Sequence, residues 1–311
     1  MESFWNSSNL LTIFIKWKWH IITITILGMA VIGASTYLIK PKYKSSAIVY
    51  PSNLGEFSEE SYSEQMIQIL NSRDITDKVI KEYNLPEHYE IDSAYKHFQS
   101  TMYYLYSENV SISKTEYESV EINVLDTDPE MAKNMVNSII NFYNAKVREM
   151  HRLKLKELMV LNEKQANNWE SVKDSLQARI YTLNNEYGVL DFAVQVEKLT
   201  EGIYRSKGNK DLIKKAEDQL DNVKKYGAEF VFINQKYWKS LELYFQYRLA
   251  LDQQTIEYNK EITYANVVTS PYVSDKKDSP KRIPITLLGG LSVFALLILI
   301  IAFVENKKHN N

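Results

Sequence analysis

The 311-residue sequence contains no cysteine. Disulfides, Cys-ligated zinc and thiol nucleophiles are therefore excluded. Glycine and proline are scarce, at 9 and 7 residues, which suits long uninterrupted helices and argues against a disordered chain. An excess of either charge is missing too: 37 Lys and Arg stand against 39 Asp and Glu, a net charge of -2. Without a basic surplus there is no reason to expect a nucleic-acid partner. Catalytic spacing is also absent. His20, His88, His97, His151 and His309 are scattered, with no His-Glu-x-x-His pair, nucleophile elbow or Gly-rich phosphate loop. The sequence therefore predicts no catalytic residue, metal ligand or cofactor, and a protein that is not an enzyme.

What the chain does have is apolar sequence at both ends. Residues 21–39 and 285–304 are uncharged and rich in Ile, Leu, Val, Ala and Gly, each about long enough to cross a hydrocarbon core. Trp17 and Trp19, flanked by Lys16 and Lys18, stand where interfacial anchors are expected. The first run is also open to reading as a signal peptide cleaved near Gly33-Ala34-Ser35. Its length and the second run favour a retained span. Two spans place both termini on one side. The charges do not decide which, since Lys16, Lys18, Lys307 and Lys308 in the tails are opposed by Lys40, Lys42, Lys44, Lys276, Lys277, Lys281 and Arg282 in the loop. Small residues, Ala30 and Ala34 in the first span and Gly289, Gly290 and Ser292 in the second, permit close helix approach.

The longest signal between the spans runs over 128–187. Asp128-Pro129 is a helix start, and no further Pro or Gly occurs before Gly188. Trp169, Val172, Leu176, Ile180, Leu183 and Tyr187 recur at three- and four-residue steps. That spacing predicts a seam against a returning helix or a neighbouring copy. A helix of this length reaches roughly 90 Å, so it is expected to project from a base.

Ahead of it, the spacing predicts a strand over 43–50, helices over 58–70, 72–83 and 92–106, and a hairpin over 109–125. Residues 189–203 fit either a helical stripe or strand alternation. Residues 206–209 read as a polar turn. A returning helix from 212 is expected to break at Gly227 and resume over 241–256, with a last strand over 262–269 pairing with the first. Pro271, Pro280 and Pro284 stiffen the approach to the second span.

Two surface clusters are read as solvated: Glu56, Glu59, Glu60 and Glu64 as helix N-terminal charge, and the basic stretch Lys146, Arg148, Arg152, Lys154 and Lys156 as an exposed face. Contact of that stretch with an anionic glycan or lipid phosphate is the sharper alternative. His88 and His97 are read as surface histidines. Tyr103, Tyr104 and Tyr106 are assigned to packing on the sheet, with stacking on sugar rings as the alternative.

The order of these features carries a resemblance. The span, Lys40-Pro41-Lys42-Tyr43, the strand, Ser72-Arg73-Asp74-Ile75, the hairpin, Asp126-Thr127-Asp128-Pro129-Glu130, the long helix, Ser279-Pro280-Lys281-Arg282 and Gly289-Gly290 together resemble the chain-length determinant family. These are the Wzz-type polysaccharide co-polymerases, here without a kinase domain. The resemblance implies an α+β inner-membrane protein in which two transmembrane helices flank a periplasmic loop. That loop comprises a membrane-proximal α+β base and a long, coiled-coil-like helical projection. The expected division is a cytoplasmic tail over 1–20, the first span over 21–39, the base over 40–128 and the projection over 129–260. A returning strand and Pro-containing linker follow over 261–284, then the second span over 285–304 and a tail over 305–311.

The function this implies is a non-catalytic homo-oligomeric scaffold setting the length of a surface polysaccharide. Its partners would be copies of itself, a membrane polysaccharide polymerase, a lipid-linked glycan and the bilayer. Pro280, Lys281, Pro284, Gly289 and Gly290 are the expected membrane-approach and packing residues. Trp169, Val172, Leu176, Ile180 and Leu183 are the expected seam. A polysaccharide-export adaptor, a two-span periplasmic sensor and a glycan-modifying enzyme are the rival readings. The short tails disfavour the sensor, and the missing catalytic constellation disfavours the enzyme.

Overall fold

The computed structural model describes residues 7–55, 57–206 and 208–309, and the side chains of 15–305 among these. Residues 1–6 and 310–311 of the expected tails, Glu56 of the acidic patch and Lys207 of the polar turn lie outside the described residues, as do the side chains of Lys307, Lys308 and His309. The chain is helix-rich, with a small sheet and two apolar helices near its ends. It divides into two units, residues 1–147 with 263–311, and residues 148–262.

In the first unit, α1 (Ser7–Ser35) leads through a short 3₁₀ turn (Thr36–Leu38) into β1 (Lys42–Pro51). There follow α2 (Tyr62–Leu70), α3 (Arg73–Glu82), α4 (Leu85–His88), α5 (Phe98–Asn109), β2 (Val110–Lys114) and β3 (Val120–Asp126). After the second unit the chain returns as β4 (Ala265–Thr269), β5 (Lys277–Ser279) and α9 (Arg282–His309). The strands run antiparallel in the order β2-β3-β1-β4, with β5 also paired to β1. The expected last strand thus pairs with the first. β5 was not foreseen, since Lys277, Asp278 and Ser279 carry no β signal.

Alternation builds the base. Ser45, Ala47 and Val49 of β1 and Val120, Ile122 and Val124 of β3 are all buried on one face, as period-two geometry requires. Met66 and Leu70, Ile75 and Val79, and Met102 and Tyr106 cover that core from α2, α3 and α5. The first turns of α6 (Pro129–Tyr187) add Met135, Ile139, Tyr143 and Val147. Asp128 caps this helix through its carboxylate, which accepts from the Glu130 N–H at 2.9 Å. The helix expected over 92–106 begins later, at Phe98.

In the second unit α6 continues, and α7 (Phe192–Arg205) and α8 (Lys210–Asn259) follow. The uncertain segment after Gly188 is therefore helical. Gly188 ends α6 at φ +68°, and the Gly188 and Val189 N–H groups close back on Asn184 and Leu183, a glycine C-cap. The break expected at Gly227 does not occur. α8 runs straight through it, because Phe192 of α7 lies so close that a Cβ would stand 1.9 Å from its ring. This glycine makes room for a neighbour and ends nothing.

Candidate functional site

Two long apolar helical stretches, Ile15–Leu38 and Arg282–Glu305, have the length and composition to cross a membrane. They pack on each other, and small residues set the distance. A Cβ on Gly289 would meet Ile32 at 2.7 Å, one on Gly290 would meet Met29 at 2.5 Å, and one on Gly28 would meet Val293 at 3.1 Å. The expected pair Gly289 and Gly290 therefore faces the first span of the same chain. At the far end Glu305 accepts from Lys16 Nζ at 2.8 Å and from Trp17 Nε1 at 2.9 Å. At the base end the Arg282 guanidinium lies 3.9 Å from the Tyr37 ring centroid. Pro280 is buried, while Lys281 and Pro284 are exposed.

Beside this end of the spans, β3 delivers Asp126 into the base. Its side chain is fully covered. It accepts from the Asp128 N–H at 2.9 Å and the Tyr89 hydroxyl at 3.3 Å, and pairs with His88 Nε2 at 2.8 Å. Burial and the adjacent Asp126 charge push the Tyr89 hydroxyl well above its ordinary value. His88 is thus a tethered, half-buried partner of a buried carboxylate, correcting its reading as a solvated surface residue. Its partner lies 38 positions away and meets it only through the fold. His97 is exposed. Next to this group Lys42 Nζ donates to the buried amide oxygen of Asn109.

The second unit carries the residues expected to form a seam. Leu183 is fully buried with Val189, Val223 and Phe230, and Ile180 packs against them. Trp169 and Leu176 are half-buried, but Val172 is exposed. Lys173 takes its place: the side chain is 19 % exposed, with its ammonium 5.3 Å from the Tyr244 ring centroid. The steps 169, 173, 176, 180 and 183 alternate four and three, the spacing of a two-helix seam. A lysine stem covers apolar surface while its head reaches water and a ring. Along α6 and α8 the partners run in opposite directions: Arg152 to Tyr258, Asn162 to Gln254, Arg179 to Glu229.

α8 also has a second stripe. At about 100° per residue, Val231, Trp238, Phe245, Leu249 and Ile256 fall within about 40° of one another. All five are exposed, by 38 % to 62 %. Sequence reasoning placed a seam on α6 and missed this one, although its seven-residue spacing is visible in the sequence.

The two surface clusters resolve residue by residue. Glu64 closes a capping box with Ser61. Hydrogen bonds from the Ser61 N–H and hydroxyl, with Lys114 nearby, hold its carboxyl below the usual range. Glu59 and Glu60 are exposed. In the basic stretch Lys146 pairs with Asp74. Arg148 and Arg152 donate to the Ile262 and Tyr258 carbonyls, and Lys154 and Lys156 are exposed. The solvated-face reading therefore holds for only part of it. Of the tyrosines, Tyr106 is in the core, Tyr104 is exposed, and Tyr103 bonds Asp77 and Arg73. No group of three or more residues fit to hold a metal ion occurs among the described residues.

No curated protein matches the sequence. Among solved structures, the chain is similar to a full-length bacterial polysaccharide co-polymerase at 14 % identity and a TM-score of 0.47, covering 98 % of this chain and 99 % of that one. It is also similar to the Shigella flexneri lipopolysaccharide O-antigen chain-length regulator WzzBSF at 10 % identity and a TM-score of 0.34, covering 76 % of this chain and 100 % of that one. A Wzz dodecamer is similar at 12 % identity and a TM-score of 0.35, with the same coverage. By sequence, residues 8–83 match the Wzz family, described as chain length determinant protein. That stretch takes in α1, β1, α2 and α3 and is in keeping with the resemblance read from the sequence.

Proposed function

We propose that this protein is a non-catalytic membrane scaffold that regulates the chain length of a lipid-linked surface polysaccharide, acting beside a membrane polymerase. The observation that carries the reading is the family match over residues 8–83, which takes in the first span and the start of the base. Both termini are cytoplasmic in this reading, and residues between the spans are periplasmic. The outer stripe of α8 supports self-association. Five exposed apolar residues at near-heptad spacing suit the face of another helix, and a second copy supplies that face.

Two measurements test the reading. Disrupting the gene is expected to change the preferred length of surface polysaccharide on a gel ladder while polymer is still made. An unchanged ladder overturns it, and complete loss of surface polymer supports an export adaptor instead. For topology, a reporter active only in the periplasm is expected to give signal when fused after Asn209 and none after His309. The reverse pattern overturns the orientation.

A further inference from the structure

The sheet of the base has two open edges. In the order β2-β3-β1-β4 the outer strands are β2 and β4. Unpaired backbone groups on such an edge recruit other strands, so edges are commonly protected by Lys, Pro or a covering element. β4, Ala-Asn-Val-Val-Thr, contains neither charge nor Pro, and Asn266, Val267, Val268 and Thr269 are all exposed. Val267 pairs with Val49 and so shares the face that Val49 turns to the core. Val49 is fully buried, yet Val267 is 45 % exposed. The layer that covers β1 leaves β4 bare. At the other edge Ser111, Ser113 and Lys114 of β2 are exposed, but α2 packs on this strand. One edge lacks a cover and the other brings one.

Strand direction decides which edges can meet. β1 starts at Lys42, just beyond the apolar stretch ending at Leu38, so it runs away from the membrane. Antiparallel pairing then sends β2 away from the membrane and β3 and β4 toward it. Copies whose spans cross one bilayer share this orientation. β2 of a second copy beside β4 therefore continues the antiparallel alternation, whereas β4 beside β4, or β2 beside β2, is parallel. The charges agree. On the β4 side, exposed Lys276 and Lys277 lie level with Tyr43, whose partner on β3 is Asp126. On the β2 side that level belongs to exposed Glu108, since Val110 pairs with Val124. None of these three charges forms an ion pair among the described residues.

We propose that β4 pairs edge to edge with β2 of a second copy, antiparallel, so that the sheet of one base continues into the next. Lys276 and Lys277 face the neighbour's Glu108, and the neighbour's α2 covers Val267. The contact is head-to-tail: each copy offers both edges, and repetition closes a ring or extends a chain. It rests on the proposed function only in requiring copies that share one bilayer orientation.

The cysteine-free chain suits disulfide mapping in intact membranes. Asn266→Cys or Val268→Cys is combined with Ser111→Cys or Ser113→Cys in the full chain and oxidised with copper phenanthroline. Within one chain β2 and β4 are three strand spacings apart, roughly 14 Å, which is beyond disulfide reach. At least one of the four pairs is expected to give a ladder of dimers, trimers and higher species, while every single-cysteine parent stays monomeric. Val267→Lys, an edge charge, is expected to cut that ladder about fivefold or more. Lys276→Glu with Lys277→Glu is expected to weaken it, and adding Glu108→Lys to restore it. Monomer in all four pairs overturns the proposal. So do dimers from a β4 cysteine alone, which would mean β4 against β4, and a ladder indifferent to Val267→Lys and to the charge reversals. Because no polymer is measured, a negative result leaves the chain-length reading standing. An unchanged polysaccharide ladder beside crosslinked bases would sink that reading alone.

Discussion

Within the 59 residues of α6, two halves behave differently. From Ala132 to Val147, seven apolar side chains (Ala132, Met135, Val136, Ile139, Ile140, Tyr143 and Val147) are buried in the base. Beyond Arg148, only Ala166 and Leu183 of this helix are buried among the described residues, while Leu153, Val160 and Leu161 lie open. The base is a sheet with helices layered on it, so each inward residue meets neighbours on several sides. The second unit is made of helices alone, and a long helix pair covers only one stripe of each member. Its remaining apolar surface needs another helix.

This contrast can be broken at graded cost. The largest effect is expected from Leu183→Asp, which puts a charge where even Leu→Ala costs about 2–5 kcal/mol. Helical circular dichroism should fall and proteolysis should open residues 148–262. Unchanged dichroism would show that the seam lies elsewhere. Ile139→Ala in the base is expected to cost about 2–5 kcal/mol, seen as a lower thermal midpoint with the second unit's helices retained.

Gly290→Leu forces a side chain into Met29 and is expected to cost about 1–3 kcal/mol. The cysteine-free chain allows a direct measurement: a Gly33→Cys and Thr286→Cys pair should oxidise readily, and Gly290→Leu should slow it. Unaltered oxidation would remove the glycine from the span contact. Ser61→Ala should cost about 1 kcal/mol through loss of the α2 cap. Because Glu64 sits below its usual range when folded, its contribution is present above the ordinary carboxylate range and is lost as pH falls through its lowered value. A Ser61→Ala penalty that stayed constant down to strongly acidic pH would deny that coupling. The smallest intrinsic effect belongs to Trp238→Ser with Phe245→Ser. These exposed changes should move chain stability by about 0.5 kcal/mol or less, yet reduce oligomer size in mass photometry. An unchanged oligomer would sharpen the contrast differently, by removing the outer stripe from assembly.

Much of this was legible in the sequence because it depends on local period. Alternation marked β1 and β3, and the absence of Pro and Gly marked α6. What escaped depended on distant partners. The Asp126–His88 pair joins β3 to α4, and β5 exists because β1 offers it an edge. Val172 was chosen for the seam on its polarity, yet helix phase puts Lys173 there, with a long stem and the Tyr244 ring to make it fit. Gly227 looked like a break because glycine weakens helices. Its reason is the Phe192 ring, which no local pattern reveals. That Ile32 and Met29 lie against Gly289 and Gly290 is likewise something only the fold shows.

The opposed run of contacts along α6 and α8 has a consequence for how such a chain can change in size over evolution. A residue added to one strand of the hairpin rotates everything beyond it by about 100°, pulling Arg179 from Glu229 and Asn162 from Gln254. Adding seven residues to α6 restores the angle but leaves its partner one heptad short. Only matched seven-residue insertions, one in each helix between the same pairs, preserve every pair from Arg152–Tyr258 to Arg179–Glu229. Natural relatives with longer or shorter hairpins are therefore expected to differ by paired heptads, and unpaired insertions should collect between Arg205 and Lys210.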